Sequence, residues 1–340
     1  MSKSISGRRS RLVVVIVAAV AVLLGACGGG DSELTVYSGR SEELIRPLLD
    51  RFSKETGIDV GVRYASTSSL AALLLEEGDR TDADVFIAQD AGALGVVQRA
   101  GMFADLDGGV LARVAEVYRS PEGQWVGLSG RARVIVYNTD AVSPDELPDS
   151  ILDFTDPVWE RRIGWAPTNG SFQAWVTALR VREGDDAAQA WLEAIEDNGA
   201  TAYSNNTSIV DAVGRGEVEV GFVNHYYLYR FLAEEGDDFP ARNYFTGPGD
   251  VGTLVNVAGA GIIEGADASD EAQQLLEFLL SDESQAFLSG ENFEYPLVDG
   301  VATPVELTPL SEIVPVVLDL NDLDDREGTL KLLQDAGVLP

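Results

Sequence analysis

The chain has 340 residues, with 56 acidic against 24 basic side chains and a formal net charge of −32. That balance disfavours nucleic acid and anionic lipid headgroups as partners, favours solubility and by itself names no ligand. With one cysteine, Cys27, and one histidine, His225, the sequence excludes a disulfide within the chain and lacks the residues for a Cys/His zinc site.

Residues 1–27 read as an export signal. Lys3, Arg8, Arg9 and Arg11 precede an apolar run from Leu12 to Leu24, shorter than the roughly 20 residues of a membrane-spanning helix. The Arg8-Arg9 pair leaves both the general and the twin-arginine export routes open. The run closes on Leu24-Gly25-Ala26-Cys27, which has the form of a lipobox. Cys27 is therefore expected to carry a lipid that anchors an extracytoplasmic protein to the cell membrane. Residues 28–33 are glycine-rich and form a flexible tether. The roughly 300 residues that follow suit two domains of ordinary size.

From residue 34 onward, strand and helix patterns alternate. Strands are expected at 34–37, 60–64 and 85–87, with helices at 42–56, 68–77 and 91–100, an order that predicts parallel β-α-β units. Two further strands, 125–128 and 133–138, flank Ser129-Gly130-Arg131, read as a crossover between lobes. A strand at 163–165 leads through Thr168-Asn169-Gly170 into a helix whose Phe172, Trp175, Val176 and Leu179 recur at core-facing spacing. Helices at 187–195 and 207–213 follow, and then the apolar run 218–223. That run ends in Asn224, His225, Tyr226 and Tyr227, where a helix begins. Successive strand residues point to opposite faces, so two adjacent phenols converge only where strand gives way to helix. The carboxyl end of a strand is also where open α/β sheets place ligands. A strand at 253–263 returns to the first lobe, followed by helices at 271–280, 283–288 and 329–336.

Several motifs, taken in order, resemble the periplasmic ferric-ion-binding proteins of ABC importers across nearly all of the mature chain. They are the opening strand with Ser38-Gly39, Thr56-Gly57-Ile58, Glu76-Glu77-Gly78-Asp79 leading into Ala83-Asp84-Val85-Phe86, and Leu128-Ser129-Gly130-Arg131. Asn169-Gly170-Ser171-Phe172, Asn224 with Tyr226-Tyr227, and Glu294-Tyr295-Pro296-Leu297 complete the set. The resemblance implies an α/β, two-lobed periplasmic-binding-protein type II fold with an interlobe cleft and hinge strands. Residues 34–131 and 256–306 would form one lobe, and 132–255 and 307–340 the other. It further implies a monomeric solute-binding protein, not an enzyme, that passes Fe(III) to an ABC permease.

Within that resemblance, Tyr226 and Tyr227 are the metal ligands. Ferric iron is a hard cation that prefers anionic oxygen, and its charge can displace a phenolic proton. A synergistic anion, phosphate or carbonate, would complete the site on Asn169, Gly170, Ser171, Asn206, Asn224 and Arg131. The helix start at Asn169-Gly170-Ser171 offers backbone N–H groups for it without any lysine. Arg131 and Arg133 alternate along a strand and share a face, unless a turn at Gly130 sends one of them to a surface carboxylate. Tyr229 packs or braces the site, and His225 is read as structural.

The chain also departs from that family's pattern. Ser41 stands where many members carry a histidine ligand, Gln89 where they carry a glutamate ligand, and Phe172 where some carry a third tyrosine. Glu42 and Asp90 are the neighbouring carboxylates available instead. Two rival readings stay open: the same fold binding a phosphonate, organophosphate or other small anion directly, and a secreted hydrolase working through His225. No Gly-x-Ser-x-Gly motif supports the second.

Overall fold

The structure is a computed structural model in which residues 33–303 and 307–339 are described. The signal at 1–27 with Cys27, the tether up to residue 32, residues 304–306 and Pro340 lie outside the described residues. The first part of the chain forms β1 (Leu34–Ser38), α1 (Glu42–Thr56), β2 (Val60–Tyr64), α2 (Thr67–Glu77), β3 (Val85–Ala88), α3 (Ala91–Arg99), the single turn α4 (Gly108–Leu111) and β4 (Val126–Asn138). Next come β5 (Ile163–Trp165), α5 (Gly170–Glu183), α6 (Asp185–Asp197), β6 (Thr201–Ala202), α7 (Asn206–Gly214), β7 (Val220–Asn224), α8 (Tyr226–Glu235) and β8 (Ala241–Tyr244). The last elements are β9 (Val255–Ile262), α9 (Ser269–Leu279), α10 (Asp282–Asn292), β10 (Tyr295–Pro296) and α11 (Arg326–Asp335). None of these helices is long and apolar enough to cross a membrane.

The elements follow local pattern closely. Helix α1 buries Ile45, Leu48, Leu49 and Phe52, the stripe a 3.6-residue period presents to a core. It ends at Gly57, whose positive φ lets its N–H reach the Ser53 carbonyl. Helices on both sides of parallel strands bury each strand on two faces, so β3 and β7 are apolar and closed to solvent along their length.

The sheet runs β2-β1-β3-β9-β4-β7-β5-β6, with β8 and β10 also pairing with β4. Strand β4 joins its two halves. From Val126 to Ala132 it pairs antiparallel with β9, and from Arg133 to Tyr137 with β7. The crossover expected at Ser129-Gly130-Arg131 is thus absent: one buried strand of 13 residues passes through, and the partner changes between Ala132 and Arg133. Gly130 serves a close approach instead of a turn. It lies opposite Tyr295 of β10, and a Cβ there would sit 3.1 Å from Leu297 Cδ2. The irregularity is a register shift between Gly127 and Ser129. This is the two-lobed periplasmic-binding-protein architecture, with β4 and the entry of β9 as hinge strands.

The second lobe is built on aromatic packing. Trp175 stands edge-on to Phe172 and to Trp191, at centroid distances of 5.6 and 5.4 Å, and also meets Phe222. The indole N–H groups of Trp175 and Trp191 donate to the carbonyls of Val251 and Ile151, which removes most of the cost of burying them. Helix α11 packs on this lobe, where Thr329 and Thr177 hydroxyls lie 2.8 Å apart and Arg180 pairs with Asp325. The preceding turn Leu320–Asp324, expected with the second lobe, lies against α3 of the first. Gly92 and Gly95 allow it: a Cβ on Gly92 would stand 2.3 Å from the Leu323 carbonyl oxygen. Asn321 then accepts the buried Trp125 indole N–H at 2.9 Å.

Candidate binding site

A cavity of about 550 Å³ opens between the lobes. The first lobe contributes Thr67, Gln89 and Asp90, β4 contributes Arg131 and Arg133, and the second lobe contributes Gly170, Ser171 and Asn224. The turn before α11 adds Leu323 and Asp324. Because β4 continues unbroken through Gly130, its two arginines lie two residues apart on one face, and both line the cavity.

Asn169 caps α5, its Oδ1 accepting from the Ser171 N–H at 3.0 Å and from the Ser171 hydroxyl at 2.6 Å. Asn206 opens α7, and its Oδ1 accepts from the Asn224 N–H at 2.9 Å, so the ends of β7 and α7 are held together. Between them lies Arg133, 3 % exposed. Its Nη1 points at the Ser171 hydroxyl, Asn206 Oδ1 and Asn224 Oδ1, at 3.4, 3.4 and 3.2 Å. Its plane covers the Trp175 ring at 5.2 Å. Burial pulls the Arg133 guanidinium down to about 9, against the Tyr226 and Tyr227 phenols, whose negative forms would hold its proton. Arg131 donates from Nη2 to the Gln89 carbonyl. Neither arginine forms an ion pair among the described residues, so the alternative in which one of them meets a surface carboxylate is not realised.

Tyr226 and Tyr227 stand at the first turn of α8 with ring centroids 4.4 Å apart and planes 30° from parallel. Tyr226 is buried and Tyr227 half-buried. They are not part of the cavity wall; their link to it is electrostatic, through Arg133. Asn169 and Asn206 likewise stand one contact back, behind Ser171 and Arg133. Burial and the neighbouring Tyr226 push the Tyr227 hydroxyl well above the usual phenol range, while Arg230 and Arg131 act in the opposite sense. Arg230 lies over both rings, 5.1 and 5.2 Å from their centroids. Sequence reading missed this residue, although its spacing of three and four from the tyrosines on one helix is the available signal. It also left Arg133 outside the anion group.

The remaining candidates separate cleanly. Gln89 and Asp90 are in the cavity wall; Ser41 and Glu42 are not, and Glu42 is paired with Arg46 on the exposed face of α1. Asp90 Oδ1 caps α3 through the Ala93 N–H. Phe172 is buried edge-on to Trp165 and Trp175. Tyr229 stacks near Phe293. His225 is fully buried: its Nδ1 accepts from the Ala132 N–H at 3.1 Å and its Nε2 faces the Phe293 carbonyl at 2.9 Å. That pair of partners makes Nε2 the protonated nitrogen. Burial draws the imidazole down to about 4. With both nitrogens held by backbone, His225 has no free position for a metal or a nucleophile. Among the described residues no three His, Cys, Asp or Glu side chains are placed to hold a metal ion.

Comparison with known proteins agrees with this architecture. The family model for bacterial extracellular solute-binding proteins matches residues 81–324. The Fe(3+)-binding periplasmic protein of Serratia marcescens is 32% identical, over 96% of this chain and 97% of its own. Iron-bound HitA from Pseudomonas aeruginosa superposes with a TM-score of 0.80 at 33% identity, covering 89% of this chain and 99% of that one. The Trichodesmium protein solved with iron and citrate ligands gives a TM-score of 0.80 at 29% identity, with the same two coverages. On fold, length and sequence together, the chain belongs to the bacterial extracellular solute-binding protein family, among relatives named for periplasmic ferric-ion binding.

Proposed function

We propose that this protein captures ferric iron outside the cell membrane and passes it to an ABC permease. The observation that carries the reading is the stacked Tyr226–Tyr227 pair at the head of α8, next to two arginines and the start of α5. Two phenolates are hard anionic donors suited to a trivalent ion, and the ion's own charge offsets the burial that otherwise keeps Tyr227 protonated. A synergistic oxyanion, phosphate or carbonate, sits on Gly170, Ser171, Asn224 and Arg131, with Asn169 and Asn206 holding that group in place. The protein acts as a monomeric binding protein and not as an enzyme. Lipid on Cys27 tethers it to the membrane, and residues 34–131 with 256–303 move against 132–255 when the cleft closes.

The relatives named for ferric iron, and the iron-and-citrate complex among the neighbours, support this reading. A hydrolase working through His225 is set aside because both of its ring nitrogens are engaged by backbone. The deciding experiment is the visible spectrum of the purified protein on addition of ferric citrate. A phenolate-to-iron charge-transfer band is expected, whereas a colourless protein would favour direct binding of a small anion.

A further inference from the structure

Arg133 is the most unusual charge in the molecule. It is 3 % exposed, and its Nε and Nη2 have no hydrogen-bond partner among the described residues. No carboxylate pairs with it, and its three contacts are neutral oxygens on Ser171, Asn206 and Asn224, all made by Nη1. Nε and Nη2 are the two donors of one guanidinium edge, the parallel fork that grips two oxygens of a carboxylate or phosphate. A buried cation without an anion carries a large desolvation penalty, and nothing in the fold compensates this one. Arg131, two residues earlier on the same face, also leaves its Nε unpartnered.

We propose that Arg133 sets the charge of the anion the site accepts, selecting multiply charged oxyanions over monoanions by a bidentate grip from its Nε–Nη2 edge. This rests on the oxyanion of the proposed function and deepens it. Ferric iron with two phenolates keeps one positive charge, and Arg131 and Arg133 add one each. A phosphate dianion or a citrate trianion neutralises most of that excess, and a monoanion leaves two thirds of it in a buried site. The neutral side chains at Gln89 and Ser41 supply none of the missing charge.

The test uses the metal-free full-length protein, with inorganic phosphate, citrate and acetate as probes at matched ionic strength, read by calorimetric titration and by thermal melting. Phosphate and citrate are expected to bind and raise Tm, and acetate to do so only weakly. Arg133→Gln should weaken phosphate and citrate binding at least tenfold and remove most of the Tm rise. In a zwitterionic buffer without added anion, its Tm should equal or exceed that of the parent, because an uncompensated buried charge has been removed. Arg133→Lys should restore only part of the binding, since an ammonium lacks the fork. Phosphate affinity unchanged in Arg133→Gln would overturn the proposal, and so would a Tm loss equal with and without phosphate, which is the mark of a structural brace. The ferric spectrum separates the two readings. Colour with an Arg133-independent anion overturns this inference alone, while absence of colour with Arg133-dependent phosphate binding supports it and removes the iron reading.

Discussion

Arg40 and Glu294 meet as an ion pair closed off from solvent, Nη2 to Oε2 at 2.9 Å, with side chains 1 % and 3 % exposed. Ser129 of β4 completes the group, donating to the same carboxylate oxygen at 2.5 Å and accepting from Arg40 Nη1 at 3.1 Å. The end of β1, the middle of β4 and the approach to β10 are thereby locked together beside the hinge. Removing one partner of a buried pair strands the other. Arg40→Met is therefore expected to lose about 3–5 kcal/mol of stability in urea denaturation, and Arg40→Met with Glu294→Leu to regain most of it. A single variant as stable as the parent would show that Glu294 does not depend on Arg40.

The same carboxylate predicts an acid limb. Burial alone would raise the Glu294 pKa, but the Arg40 and Arg131 charges and the Ser129 hydrogen bond hold it below its ordinary 4.5. The folded state therefore binds fewer protons here than the unfolded chain. Stability from this group is full above the unfolded value and is lost as pH falls through the folded one. Urea midpoints measured between pH ~3 and ~6 should fall on the acid side of 4.5 in the parent. They should fall less steeply in Glu294→Gln.

Tyr226→Phe and Tyr227→Phe each remove an anionic donor and almost no volume. Each is expected to weaken ferric binding by about a hundredfold or more, ~3 kcal/mol, with the melting temperature little changed. Iron titrations that match the parent in both variants would place the metal elsewhere.

Gln89 lines the cavity with a buried Oε1 that has no partner among the described residues. Gln89→Glu puts a carboxylate at that point. Iron affinity should rise by roughly tenfold, ~1.4 kcal/mol, and the dependence on added phosphate should relax. Competition against a chelator, with and without phosphate, reads both effects.

Cys27→Ser should release the mature protein from the membrane fraction or block its processing, because the sequence has no other cysteine to carry a lipid. Fractionation of cells expressing the variant checks this, and unchanged membrane attachment would contradict the lipobox.

Much of this was legible in the residues because the deciding signals are local. The limits of α1 at Glu42 and Thr56, the strand Ile163–Trp165, the start of α8 at Tyr226 and the cap at Asn169 all follow from patterns a few residues long. What escaped needs distant segments to meet. Ser129-Gly130 reads as a turn in isolation and becomes continuous strand only because β10 packs against it. The docking of Leu320–Asp324 depends on two glycines more than 200 residues earlier, Gly92 and Gly95, which leave one side of α3 bare. Arg133 looked like the twin of Arg131; only the assembly of β4, α5, α7 and β7 reveals a guanidinium surrounded by neutral oxygens.

In β4 the residues that face the cavity and those at which the strand changes partner are the same short stretch, Arg131 to Arg133. Ligand contact is thus made at a fulcrum. Displacement is smallest there, and a given ligand force is matched by the smallest travel. Strands β2 and β6 close opposite edges of the sheet, several strand spacings of ~4.8 Å away from that point, so the same rotation moves them furthest. A transport partner resting on the outer faces of both lobes would meet the loaded state as a changed separation between two fixed surfaces, with no side chain on either surface needing to rearrange.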